Sequence, residues 1–364
     1  MRVVAKIGTA SITDDAGRIR PQAIAKLSTE VATLRAAASE VVIVSSGAVA
    51  AGVSALGFDR RPTDMGTLQA VAAAGQSRLV EAYNVELDRH GLVGAQVLLD
   101  PHDFFDRRQY LHARSTLERL LELGAVPVVN ENDTIANEEL RYGDNDRLAA
   151  LVAHSLHADV LVLLTDTDGV FTDDPRRNAE ATLVPLVAAD DPMLSLTAVA
   201  SGGGSGRGSG GMASKLIAAR MASWSGIRCV IARAARADVL AGAVSDELVG
   251  TTFESHDRAL SARKLWIAFA AEAAGSLHVD AGAVRALTER PSSLLPAGVV
   301  EVRGDFLSGD TVEVVGPGGA TVARGMVAVD AAGLRAVLGR HTGDLPAGMV
   351  HEVIHRDHLV VLDL

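Results

Sequence analysis

The chain has 364 residues, 48% of them hydrophobic but only 3% aromatic, and a formal net charge of −11. That length predicts two domains, with cores filled mainly by Ala, Val and Leu. The acidic balance excludes a protein that grips a nucleic-acid backbone through a basic face, and the single cysteine, Cys229, excludes an intramolecular disulfide and a cysteine-based zinc site.

Taken in chain order, the residues up to about Ser255 alternate short β-branched runs with longer alanine-rich stretches. Val3–Ile7, Val41–Ser45, Gly94–Leu99, Val126–Asn130, Val160–Thr165 and Arg228–Ala232 read as buried strands. Gln22–Ala38, Thr67–Arg89, Tyr110–Leu123 and Ala213–Trp224 read as helices between them. The alternation predicts an α/β fold, an open and mainly parallel sheet with helices on both faces, whose ligands bind at the carboxyl edge of the strands. After the polar stretch Glu254–Lys264 the pattern changes. Strand-like pieces at Ser276–Val279, Gly298–Val302, Thr311–Val315 and His358–Leu362, with helical patches at Ala281–Thr288 and Ala331–Leu338, predict a small β-rich module. Lys6 stands where a secretory leader needs apolar residues, and no segment reaches the ~20 apolar residues of a membrane span, so a soluble, cytoplasmic protein is expected.

The polar clusters fall at strand ends and helix starts. Ser209-Gly210-Gly211-Met212-Ala213-Ser214-Lys215 runs into a helix: glycines permit close approach to a phosphate, free N–H groups point at it, and Lys215 adds charge. Because Ser214 precedes Lys215, the segment is not a Walker loop. Gly206–Gly211 fits a dinucleotide fingerprint in spacing, but no strand leads into it. Lys6, at the end of the first strand, either snorkels to solvent or contacts a phosphate. Ser45-Ser46-Gly47-Ala48 opens a helix and suits an anion, or is an ordinary cap by Ser46. Asn130-Glu131-Asn132-Asp133 and Gly143-Asp144-Asn145-Asp146 can grip a zwitterion, carboxylates holding its ammonium and amides its carboxylate. Thr165-Asp166 and the acidic turn after them, not spaced as an EF-hand, suit hydrogen bonds to a nucleotide. His351-Glu352-Val353-Ile354-His355 matches a zinc-protease pattern, which needs a helix; its β-branched residues favour a strand instead. His355-Arg356-Asp357 lacks the asparagine of a protein-kinase catalytic loop.

In their order along the chain these motifs resemble the amino-acid kinase family, and within it the branch that phosphorylates the glutamate side chain. The resemblance runs from Lys6-Ile7-Gly8-Thr9 through Gly210–Lys215 and on into Arg263–Ile267 and Ser292–Pro296, where the chain looks like a PUA domain. It implies an amino-acid kinase domain at 1–258, a linker at 259–274 and a PUA-like domain at 275–364. It further implies transfer of the ATP γ-phosphoryl group to the γ-carboxylate of L-glutamate, giving L-glutamyl 5-phosphate, the first step of proline biosynthesis, with ATP and Mg²⁺ as cofactors. Carried over residue by residue, Lys6 and Lys215 would contact the phosphates and Asp146 would hold the two lysines. Ser46, Gly47, Asn130, Asp133, Asp144 and Asn145 would bind glutamate. Lys6, Thr165, Asp166 and the segment Ser209, Gly210, Gly211, Met212, Ala213, Ser214 and Lys215 would bind ATP.

The resemblance also implies a homo-oligomer, feedback inhibition by proline and coupling to the reductase that consumes the product. Ala10 stands where the family has a serine, and Ser209 and Ala213-Ser214 replace its usual threonine and Ser-Thr. Kinases acting on N-acetylglutamate, aspartate, carbamate or a nucleoside monophosphate are the alternatives within the class. PUA domains elsewhere bind RNA, but acidic residues outnumber basic ones from Ser276 onward, which argues against RNA here.

Overall fold

The computed structural model describes residues 1–104, 106–135, 145–189, 191, 211–256, 260–270, 273–290, 292–340 and 351–362. The chain divides into two units, Met1–Ala259 and Leu260–Leu364.

The first unit is built on an eight-stranded sheet. Its strands are β1 (Arg2–Ile7), β2 (Glu40–Ser45), β3 (Gly94–Leu99), β4 (Val126–Glu131), β5 (Val160–Thr165), β6 (Leu186–Val187), β7 (Arg228–Arg233) and β8 (Gly250–Phe253), in the order β3-β4-β2-β1-β5-β7-β8-β6. All pairings are parallel except that of β7 with β8. The central strands are buried along almost their whole length, as β1 and β5 show, which is why they read as continuous apolar runs rather than alternating ones. Side chains of a strand alternate between faces. Val3, Ala5 and Ile7, with Val41, Ile43, Val160, Val162 and Leu164, form one core with α2 (Pro21–Ala36), α4 (Met65–Asp88) and α8 (Val239–Val244). Val4 and Lys6 therefore project to the opposite face, where α6 (Asn145–Ser155) packs on β1 and α7 (Met212–Ser223) on β7.

Helix α3 (Ala48–Ala55) meets α4 at unusually close range. A Cβ on Gly75 would lie 1.9 Å from the Ala48 carbonyl oxygen, and one on Gly52 would lie 1.8 Å from that of Val71. No side chain larger than hydrogen fits at either position, and the contact fixes the start of α3 against the middle of α4.

The second unit has a five-stranded sheet of order β10-β9-β11-β12-β13, with β9 Gly275–Val279, β10 Val299–Arg303, β11 Thr311–Val315, β12 Thr321–Met326 and β13 Leu359–Val361. Only β9 and β11 pair in parallel. Leu277, Val279, Phe306, Val312, Val314 and Leu334 belong to its own core. Residues Ala262–Leu265 form a helical turn continued by a π-turn to Ala270, and Arg324 donates to the Ala268 carbonyl at 2.9 Å. The strand expected over His351–His355 is a single bridge, Leu294 with Ile354, and the same residues form no helix. The patch expected as a helix over Ala331–Leu338 is α-helical only over Ala331–Arg335.

Candidate active site

Three chain segments far apart in sequence meet above the carboxyl end of β1. Lys6, the penultimate residue of the strand, points to the face covered by α6 and α7. Asp146 lies in the first turn of α6 and Lys215 near the start of α7. Lys6 Nζ lies 2.5 Å from Asp146 Oδ1, and Lys215 Nζ lies 3.2 Å from Asp146 Oδ2. Ser214 Oγ donates to the same Oδ2 at 2.7 Å. Lys6 is 4% exposed, Lys215 5% and Asp146 0%. Burial opposes ionisation of Asp146, but the two ammonium groups and the hydrogen bonds from Lys6 and Ser214 outweigh it and hold the carboxyl well below the usual carboxylate range. Two cations against one anion leave a net positive charge in a closed environment, where it acts more strongly than in water. Cys229 lies in the adjoining core, and burial together with the Asp146 charge pushes its thiol up, out of the reactive range.

Backbone N–H groups add to this charge. Helix α7 is preceded by Gly211 and α3 by Gly47, and neither has a side-chain cap. Gly47 adopts φ 104°, a left-handed conformation that glycine tolerates, and it, not Ser46, occupies the cap position. The ordinary-cap reading of Ser46 is thereby corrected. Beneath it, the Ser45 and Tyr83 hydroxyls are hydrogen-bonded at 2.9 Å, tying the end of β2 to α4.

A second cluster gathers at the end of β4. Asn130 Oδ1 and Asn145 Oδ1 both accept from the Glu131 N–H, at 2.9 and 3.1 Å. Asn130 Nδ2 donates to Gln76 Oε1 at 2.7 Å. Since Asn145 immediately precedes Asp146, this cluster abuts the lysine–aspartate centre. Asp133 follows on the same loop. Burial pushes its carboxyl up to about 6, against the opposing effect of the Arg61 charge.

Thr165 closes β5 and is buried, its hydroxyl 3.1 Å from Asp166 Oδ1. Asp166 lies 3.8 Å from Arg176, and Asp168 makes a paired contact with Arg233 at 2.5 and 2.9 Å. Thr165 and Asp166 also line a cavity of about 360 Å³ together with Ala10, Arg20, Lys26 and Arg233. Met212 and Ala213 lie with Ser214 in the first turn of α7. Asp144, Ser209 and Gly210 lie outside the described residues. Among the described residues, no group of three or more His, Cys, Asp or Glu is arranged to hold a metal ion, and no helix is long and apolar enough to cross a membrane.

A model of the amino acid kinase family matches residues 1–233, and the PUA domain model matches residues 275–348. The chain belongs to the amino acid kinase family. It is 46% identical over 365 aligned positions to the glutamate 5-kinase of Pseudomonas putida (strain KT2440), covering 99% of this chain and 98% of that protein. With the glutamate 5-kinase of Burkholderia cenocepacia (strain HI2424) it is 42% identical at the same coverage. The expected kinase fold, parallel sheet and separate PUA sheet are all present in this amino acid kinase.

Gln76 was not foreseen. It sits mid-helix within an alanine-rich stretch, where a glutamine reads as a solvated surface residue. The signal available was its place on the buried stripe of α4, four residues after Ala72 and three before Leu79.

Proposed function

We propose that this amino acid kinase transfers the γ-phosphoryl group of ATP to the γ-carboxylate of L-glutamate, giving L-glutamyl 5-phosphate and ADP. The observation that carries the proposal is the convergence of two buried ammonium groups on Asp146 beside the Asn130–Asn145 amide cluster. The similarity to glutamate 5-kinases over nearly the whole chain supports the choice of substrate.

The glutamate carboxylate has an intrinsic pKa of ~4.3 and is ionised at neutral pH, so no general base is needed. Its oxygen forms the new bond to the γ-phosphorus while the bond to the β–γ bridging oxygen breaks, and ADP leaves with that electron pair. The obstacle is electrostatic, two anions brought into line. Lys6 and Lys215 face the transferring group and offset its charge, and the N–H groups at the start of α7 act in the same direction. Asp146 holds both lysines in place. Ser46, Gly47, Asn130, Asp133 and Asn145 hold the amino acid, Asp133 pairing with its ammonium group; Asp144 completes this set. Thr165 and Asp166 bind the nucleoside side, and Ser209 to Ser214 wrap its phosphates.

Both oxygens of Asp146 are engaged by Lys6, Lys215 and Ser214, so Mg²⁺ is expected to enter on nucleotide oxygens and water rather than in a protein cage. When bound it would supply positive charge to the nucleotide phosphates. A cytoplasmic homo-oligomer, inhibited by proline at or beside the glutamate site and passing its product to a reductase, completes the proposal. RNA binding by the PUA domain is not part of it.

The test is hydroxylamine trapping of acyl phosphate with ATP and Mg²⁺, offering glutamate, N-acetylglutamate or aspartate, with and without proline. Hydroxamate formed from glutamate and suppressed by proline is the expected result. Turnover confined to another acceptor would refute it.

A further inference from the structure

We infer that Gln76 is a positioning residue for the amino-acid substrate, acting through Asn130. This rests on the reading of Asn130 and Asn145 as the glutamate end of the site.

The side-chain amides here cannot be turned at will, because one member of the cluster is main chain. The Glu131 N–H is a donor whatever its surroundings, and both Asn130 Oδ1 and Asn145 Oδ1 lie within hydrogen-bond distance of it. Each asparagine must therefore present oxygen to Glu131, and each NH₂ group must point elsewhere. The Asn130 NH₂ meets Gln76 at 2.7 Å, which obliges Gln76 to present its oxygen. Turning Gln76 over would set donor against donor. The polarity of the whole cluster is thus fixed from the backbone outward, through Asn130, to α4.

One atom is left over. Gln76 Nε2 is closed off from solvent and has no hydrogen-bond partner among the described residues. A buried donor without an acceptor is destabilising, and an apolar side chain of similar length would remove it only by stranding the buried Asn130 NH₂ in its place. Glutamine at this position leaves the core with an orphaned donor, while its oxygen gives the Asn130 amide its partner and holds it in a single orientation. That balance marks a residue kept for the geometry of a site rather than for the core. The Gly75 contact with Ala48 beside it locks the helix that carries Gln76, so the acceptor is held on a rigid mount.

The experiment is steady-state kinetics and thermal melting on the full-length protein, comparing Gln76→Met, Asn130→Ala and the double variant. Loss of one neutral hydrogen bond predicts that Gln76→Met raises the glutamate KM by about 2- to 13-fold. Both kcat and the ATP KM should stay within about twofold, and the Tm should change little, since one orphaned buried NH₂ replaces another. Because Gln76 acts through Asn130, the double variant should have the glutamate KM of Asn130→Ala alone. An unchanged glutamate KM in Gln76→Met, additive effects in the double variant, or a fall in Tm with all kinetic constants worsening together would overturn the inference. Wild-type protein that turns over no glutamate would instead remove the functional reading, and this inference with it.

Discussion

The Lys6 ammonium lies 2.5 Å from Asp146 Oδ1, with both side chains shut away from solvent. Buried ion pairs are costly to assemble, and removing one partner leaves the other's charge uncompensated. Asp146→Asn keeps the shape and deletes the charge, leaving two ammonium groups facing each other. It is expected to lower stability by about 3–5 kcal/mol, the range for breaking a buried pair, as read from the midpoint of chemical denaturation.

The division of labour between the two clusters predicts opposite kinetic signatures. Lys215→Ala should reduce kcat by about 10²–10³-fold, as loss of one donor to a developing anion does, with little change in the glutamate KM. Asp133→Ala should mainly raise the glutamate KM. Equal losses in the same parameter would show that the roles are not divided in this way.

Asp133 also sets a pH dependence. With its carboxyl pushed up to about 6, it becomes neutral as the pH falls through that value and loses its attraction for an ammonium group. The kcat/KM for glutamate should therefore fall with acidification below about pH 6, and Asp133→Asn should flatten the profile. For stability the sign reverses. Between the ordinary value of 3.8 and about 6 the unfolded chain releases a proton that the folded protein keeps. This group's contribution thus worsens as the pH rises across that window, and stays unfavourable above it. Asp133→Asn should raise the Tm at pH 7.5 but not at pH 3.5, measured by calorimetry.

The α3–α4 contact makes a different demand. In Gly75→Ala the new methyl would sit 1.9 Å from the Ala48 carbonyl oxygen and 2.4 Å from the Gly52 nitrogen. Both neighbours are backbone, so the helices must separate. The cost should meet or exceed the ~1–3 kcal/mol typical of overpacking. Denaturant melts measure the cost, and a raised glutamate KM would report displacement of the α3 start.

The pairing of Lys6 and Lys215 with Asp146 is implied by the family resemblance; the residues alone offer only their positions, Lys6 at the end of an apolar strand and Asp146 and Lys215 at helix starts after polar or glycine-rich loops. Parallel strands buried on both faces announce themselves as β-branched runs, so β1, β2, β4, β5 and β7 were legible nearly to the residue. The short strands β6 and β8 were not. Four residues, Gly250–Phe253, carry too little pattern, and their antiparallel pairing with β7 is decided by tertiary contact. The β-branched content of His351–His355 predicts a strand, but the segment pairs only at Ile354. Nor does the sequence reveal which way an amide points. That Asn130, Asn145 and Gln76 share one polarity follows from the Glu131 N–H, a main-chain group invisible to any residue-type pattern.

The inert thiol in the core has a practical corollary. Cys229 is wholly enclosed, and its ionisation is suppressed by burial and by the nearby Asp146 charge. A cysteine engineered at an exposed site such as Glu122 would be the one thiol a maleimide dye can reach in the folded protein. Fluorescence could then follow substrate binding without first mutating the native residue.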